Sequence, residues 1–321
     1  MKHFAVVLFL LTVLCTITLS AQNSQAQSYP SQTIQLVIPA APGDGGDIAA
    51  RLLIEELVKI LKVPVVPVNK PGAAAAVGTE FVAKSRKDGY TLLYGITAGT
   101  VYSPAQTETP YDPIRDLDCL GFTMFFPCLF SVQAESPWKS FKEVVDYAKK
   151  NPGQFRCSTL GVGSINDLQI DMIKAATKVD ISKIPFKGAT PAVTGLLGGH
   201  VEATFIARPV TEAHHKSGKL RALLVDRKLA DLPEVPTLKE LGYDLELPSP
   251  WAGIYGPAGM PDEAKKVLVP AIEKAMKSPE IDAKLKELFF LPSYMPPAEQ
   301  RKLQIKDYEN AKAMFKAAGG Q

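Results

Sequence analysis

Two stretches of small residues carry the clearest chemical potential in this chain. The first runs Pro42-Gly43-Asp44-Gly45-Gly46-Asp47, and the second runs Ser158-Thr159-Leu160-Gly161-Val162-Gly163-Ser164. Each follows an apolar run and precedes a segment with helical spacing. The first N–H groups of a helix have no carbonyl partner one turn back, and the helix dipole adds partial positive charge there. Such a corner binds an anion without a basic side chain, and glycine lets the backbone come close to the ligand. Two corners can hold the two ends of a dicarboxylate, although the same pattern also makes plain strand-to-helix connections. The candidate ligand contacts are Pro42, Gly43, Asp44, Gly45, Gly46 and Asp47 in the first corner, with Asp47 expected as the helix N-cap. Thr159, Gly161, Gly163 and Ser164 are the candidates in the second, and Thr97 joins them from the end of the strand over 90–95.

Arg208 follows the largely apolar run Val201-Glu202-Ala203-Thr204-Phe205-Ile206-Ala207. The carboxyl end of a strand in an open α/β sheet faces the binding crevice, and a guanidinium pairs with a carboxylate through two hydrogen bonds. An ordinary surface arginine near a helix start fits the same residues. Asp44 is the opposite case, since an acid in an anion-binding loop repels a carboxylate. It must turn to solvent, cap a neighbouring amide, or meet an ammonium on the ligand. Tyr94, Tyr102, Trp138 and Trp251 are expected to pack in the core or between lobes.

Other chemistries lack their residues. There is no G-x-x-x-x-G-K-[ST] run for a nucleotide phosphate, no G-x-G-x-x-G, and no G-x-S-x-G nucleophile elbow. His200, His214 and His215 have no ligand spacing on a helix, so no metal site and no cofactor are expected. His214 and His215 read as a solvated helix end. A formal charge of +3 gives no electrostatic case for nucleic acid.

The elements that position the corners follow from periodicity. Thr33–Pro39 reads as a buried strand, and Ala49, Leu52, Leu53, Leu57, Ile60 and Leu61 recur at helical spacing. Strand 63–68, helix 73–86 and strand 90–95 repeat the unit. One long strand is expected within 120–135. Strands and helices then alternate to Val225, a proline-punctuated stretch covers 231–250, and a mostly amphipathic-helical tail follows from Pro261, divided by Pro279, Pro292, Pro296 and Pro297. Alternation of this kind implies an α/β fold with mostly parallel sheets.

Lys2 and His3 precede an apolar run from Phe4 to Leu19, followed by small and polar residues. That order is a secretory signal peptide, too short to span a bilayer as an anchor. Cleavage is expected after Ala26, with Ala21 as the alternative. It leaves Cys119, Cys128 and Cys157, which match no zinc spacing and can form one disulfide or stay free.

The chain resembles the substrate-binding proteins of tripartite tricarboxylate transporters, the Bug family. The likeness begins at Tyr29-Pro30 and covers nearly all of the remaining chain. It runs through Ile38-Pro39, Pro42-Gly43-Asp44-Gly45-Gly46-Asp47, Ala50-Arg51, Val68-Asn69-Lys70-Pro71-Gly72-Ala73, Asp88-Gly89-Tyr90, Gly161-Val162-Gly163-Ser164, Phe186-Lys187-Gly188, Gly198-Gly199-His200-Val201-Glu202, Ser217-Gly218-Lys219 and Gly256-Pro257-Ala258-Gly259-Met260-Pro261. The resemblance implies a periplasmic-binding-protein-like fold, with two α/β lobes hinged around a ligand cleft and two chain crossings near 122–134 and 249–255. Lobe 1 would comprise 27–128 plus 250–321, and lobe 2 would comprise 129–249.

It also implies a monomeric, non-enzymatic periplasmic receptor. Such a receptor holds a small mono- or dicarboxylate on the two corners and delivers it to one large and one small membrane transporter subunit. The sequence departs from the family's usual pattern at Asp44, Gly46, Asp167 and Ile206-Ala207, so ligand identity cannot be carried over from a relative. A sensor module for a membrane signalling partner shares the same residues. A periplasmic enzyme would need a nucleophile–base pair or metal cluster that the sequence lacks.

Overall fold

The computed structural model describes residues 29–161 and 164–317, so the signal peptide and its cleavage site lie outside the described residues. In chain order the elements are β1 Ile34–Ile38, α1 Gly45–Leu61, β2 Val65–Asn69, α2 Ala76–Ala83 and β3 Thr91–Ile96. A π-helical turn Ala98–Tyr102 and the short α3 Ser103–Gln106 precede β4 Leu117–Phe125 and β5 Cys128–Gln133. Then come α4 Phe141–Lys150, β6 Phe155–Thr159, α5 Ile165–Thr177, β7 Ile181–Pro185, α6 Ala189–Leu197, β8 Ala203–Ala207, α7 Arg208–Lys216 and β9 Leu220–Val225. The chain ends with β10 Trp251–Pro257, α8 Asp262–Met276, α9 Pro279–Glu287, β11 Leu291–Met295 and α10 Pro297–Ala317.

Two sheets form two lobes. One is six-stranded in the order β11-β4-β10-β3-β1-β2, and the other is five-stranded in the order β7-β6-β8-β5-β9. Helices cover both, which is why β1 is apolar on both faces, with Ile34, Leu36, Val37 and Ile38 all buried. Ala49, Ala50, Leu53, Ile54 and Leu57 form the buried stripe of α1, and Ala264, Leu268, Ala271, Ile272 and Ala275 form that of α8. In the other lobe Phe130 packs edge-on to Phe141 at 5.3 Å and to Phe205 at 6.0 Å. Each such fully buried side chain stabilises by roughly 1.5–3 kcal/mol.

Two expectations are corrected. The strand expected within 120–135 is two strands in different sheets, β4 and β5, separated by Phe126 and Pro127. Proline has no N–H to continue a ladder, so the chain leaves one sheet and enters the other there. The sheets are mixed rather than mostly parallel. β1, β2 and β3 pair in parallel, as do β6, β7 and β8, but β4, β5, β9, β10 and β11 pair antiparallel. Helical crossovers fix the parallel pairs, whereas β5 and β10 are entered from the other lobe with no crossover helix to set their direction. The tail is mostly helical, and between its helices β11 adds an edge strand. Cys119, Cys128 and Cys157 are all free thiols.

The two crossings are joined to each other. The Phe126 amide donates to Pro250 O at 2.8 Å and the Arg208 amide to Pro127 O at 2.8 Å. Asp226, just past β9, accepts the Cys128 amide on Oδ1 at 3.0 Å. These bonds tie 126–128 to 208, 226 and 250, so the hinge is a short hydrogen-bonded strip.

Candidate functional site

The carboxyl ends of β1, β2 and β3 lie on one edge of their sheet because the three strands are parallel neighbours. That edge gathers Pro42–Asp47, Asn69 and Thr97. The same logic on β6, β7 and β8 gathers Thr159, Gly161, Ser164 and Arg208; Gly163 lies outside the described residues. The two edges meet at the hinge. A methyl placed on Gly45 would lie 3.7 Å from the Phe290 ring, and the adjacent Phe289 ring touches Arg208. Ile165 and Leu168 at the start of α5 pack in one apolar cluster with Tyr102, Phe122, Phe125 and Trp251 of the first lobe.

The first helix is capped one turn earlier than expected. Asp44, extended at φ −67° and ψ 157°, is the N-cap, and Asp47 sits inside the first turn. Asp47 is buried and works as the keystone of the loop. Its Oδ2 accepts the Gly43 amide at 2.9 Å and Arg51 Nε at 2.9 Å, and its Oδ1 accepts Asn69 Nδ2 at 2.8 Å. Asn69 Nδ2 also donates to Ala40 O, and Arg51 Nη2 donates to Asn69 Oδ1. Burial works to raise the Asp47 carboxyl, but the bonds from Arg51, the Gly43 amide and Asn69 outweigh it and hold it below its ordinary value. The carboxylate is therefore charged, yet answered by Arg51. Asp44 caps a neighbouring amide, accepting Ala41 N at 3.2 Å, which is one of the three roles expected for it. The amides of Gly45, Gly46 and Asp47 are left without intrahelical acceptors.

The second corner repeats the device. Ser164 caps α5 by accepting the Asp167 amide at 3.2 Å, which leaves the amides of Ile165 and Asn166 without intrahelical acceptors. Asp167 is charge-paired with Lys183 at 2.9 Å. Gly161 has φ 101°, a conformation glycine adopts without steric cost. Both helix starts thus carry an acid whose charge a nearby base answers, so the dipole and amides stay available to a ligand anion.

Thr97 and Thr159 are buried at the ends of β3 and β6. Arg208 is neither exposed nor unpaired. It is buried, with Nε 2.7 Å from Glu212 Oε2 and Nη1 3.0 Å from Asp231 Oδ1. His215 is not at a solvated end; its Nε2 lies 3.0 Å from Ser131 Oγ. Tyr94, Tyr102 and Trp251 are core residues, and Trp138 packs against the second-lobe core.

The roles of Arg51, Asn69, Phe289 and Phe290 were not read from sequence. Two of them left a signal: Arg51 stands four residues after Asp47 on the same helix, and Asn69 is the polar end of an apolar strand beside a glycine turn. After it, Ala73, Ala74 and Ala75 take φ of 44°, 48° and 73°, a left-handed turn that shortens the helix expected over 73–86. Each alanine there costs roughly 1–2 kcal/mol. Ala74→Gly is therefore expected to raise stability by about 1 kcal/mol, read as a higher urea midpoint at unchanged m-value.

Among the described residues no group of three or more His, Cys, Asp or Glu is placed to hold a metal ion, and no helix is long and apolar enough to cross a membrane.

Comparison with known proteins places this architecture. Residues 49–319 match the model of the tripartite tricarboxylate transporter family receptor. A UPF0065 protein from the gbd 5′ region of Cupriavidus necator is 32% identical over 99% of this chain and 98% of its own length. Protein BugT of Bordetella pertussis is 33% identical over 79% of each chain. Among solved structures, R. palustris Rpa4515 with adipate is similar with a TM-score of 0.82 and 26% identity, covering 91% of this chain and 98% of that one.

Proposed function

The chain belongs to the tripartite tricarboxylate transporter receptor family, and we propose that it captures a small mono- or dicarboxylate between its two lobes and delivers it to a membrane transporter of one large and one small subunit. The observation that carries this reading is the pair of helix starts, one on each lobe, whose own acids are answered by Arg51 and Lys183. The amides of Gly45, Gly46, Asp47, Ile165 and Asn166 are then the groups that replace water around a carboxylate. A relative solved with adipate, a dicarboxylate, supports the ligand class.

The receptor works in the periplasm after removal of residues 1–26, as a monomer, with no covalent chemistry. Lobe 1 comprises 27–128 plus 250–321 and lobe 2 comprises 129–249, a division supported by the membership of β4, β5, β9 and β10 in the two sheets. Closure of the lobes buries the carboxylate and presents a surface that the transporter recognises. A direct contact of Arg208 with a second ligand carboxylate requires release of Asp231, whose side chain is 62% exposed.

A thermal-shift screen against aliphatic and aromatic mono- and dicarboxylates, amino acids and neutral controls tests the reading. One carboxylate class is expected to stabilise by about 2.7 kcal/mol at a hundredfold excess over its dissociation constant. Stabilisation by neutral or cationic compounds alone would overturn the anion-corner reading and turn attention to Asp44.

A further inference from the structure

Phe289 occupies a position where an aromatic residue is costly. It follows α9, whose last turn closes with the Phe290 amide donating to Leu285 O at 3.0 Å, and it takes φ 63°. That is the left-handed residue of a helix C-terminal motif, the place glycine usually fills because a Cβ is strained there. A strained residue persists when its side chain gains something from the conformation.

The gain lies across the hinge. The Phe289 ring belongs to the segment carrying the six-stranded sheet, yet it meets two cations of the other lobe. Arg208 Cζ is 4.7 Å and Lys216 Nζ 4.5 Å from its centroid. The Arg208 guanidinium is held in place by Glu212 and Asp231, so it meets the ring already oriented. The next residue, Phe290, packs edge-on against Phe126 at the first crossing, with centroids 5.3 Å apart, and lies beside Gly45 of the first corner. Two consecutive rings thus touch one anion-binding corner, the hinge and the opposite lobe.

We propose that Phe289 is an interlobe clasp, its ring held by Arg208 and Lys216 so that the lobes favour this arrangement over more separated ones. Cations on an aromatic face bind it through the ring quadrupole, and two such contacts across a hinge bias the balance between lobe arrangements without touching the ligand. The clasp does not depend on what the ligand is, and its test needs none, so it can fail while the carboxylate reading stands.

Phe289→Gly removes the ring and at the same time relieves the left-handed strain, so a loss of global stability is not expected. Hydrogen exchange of the ligand-free protein reads the hinge through the amides of Phe126 and Arg208, both bonded to crossing carbonyls. Their exchange is expected to accelerate about tenfold, with the Cys157 amide of β6 unchanged and the melting temperature equal or higher. Phe289→Leu, which keeps bulk but has no aromatic face, is expected to accelerate the same two amides. Unchanged exchange at Phe126 and Arg208 in Phe289→Gly overturns the clasp. So does protection in Phe289→Leu equal to that of the unsubstituted protein, which would reduce the contact to plain packing.

Discussion

Asp47→Ala is expected to lower stability by about 3 kcal/mol and to weaken carboxylate binding about a hundredfold. Three groups lose a bond at once, namely the Gly43 amide, Arg51 and Asn69, and all three bonds are charge-assisted because the carboxylate accepts them. The loop 41–44 is then free to move, and ordering a few residues again on binding costs roughly 1 kcal/mol or more each, which at 1.4 kcal/mol per decade accounts for about the hundredfold loss. Urea unfolding and isothermal titration with the carboxylate found by screening measure the two effects. Asp47→Asn keeps an acceptor for the Gly43 amide and is expected to retain most of the affinity. If Asp47→Ala instead binds more tightly, the carboxylate acts on the ligand by charge repulsion, and its role as holder of the loop is wrong.

Asp226→Asn is expected to gain stability over the unsubstituted protein as pH rises. Asp226 is buried at the hinge, and burial pushes its carboxyl up from 3.8 to about 7, against the bonds from the Cys128 amide and Ser249 and the charge of Arg227. Its Oδ2 has no hydrogen-bond partner among the described residues, and neither do Gln169 Oε1 and Tyr102 Oη. Around it stand the Cys128 thiol, Arg227 with Cζ 3.5 Å from the Phe125 centroid, and Asp307, which accepts Trp251 Nε1 at 2.8 Å. The folded protein therefore keeps a proton between about pH 4 and pH 7 that the unfolded chain has released. Stability from this group is fully present below 3.8 and is lost as pH rises through about 7. The loss is on the order of 3–4 kcal/mol. Asparagine has no such proton to lose, so the stability difference in favour of the variant should widen by that order between pH 4 and pH 8 in urea titrations. A difference that does not change with pH would mean that Asp226 stays ionised throughout.

The fold class and both corners were legible in sequence because they are local. A buried parallel strand, a glycine turn and a helix with an apolar stripe leave a contiguous pattern, as 33–61 and 155–177 do, and free amides at a helix start need no distant partner. The capping residue was misplaced by three positions because Asp44 and Asp47 are chemically alike. Arg51 lies one helical turn after Asp47, but only the fold brings Asn69 to it and so draws it inward. Sheet direction was likewise invisible, since β4, β5 and β10 are largely apolar runs whose orientation depends on which lobe they enter and not on their composition.

Arg208 marks the boundary most clearly. Sequence placed it at the end of a strand, and it is the first residue after β8. Of its partners, Glu212 is one turn on in its own helix, but Asp231 and Phe289 come from a loop and the far end of the chain. Residue type and spacing determined that this chain builds two strand–loop–helix corners. Tertiary structure decided that Lys183 answers the acid of the second corner, that Asn69 joins the first, and which side chains join the lobes. Pairing between groups from distant segments depends on where the chain returns in space, and no local pattern encodes that return.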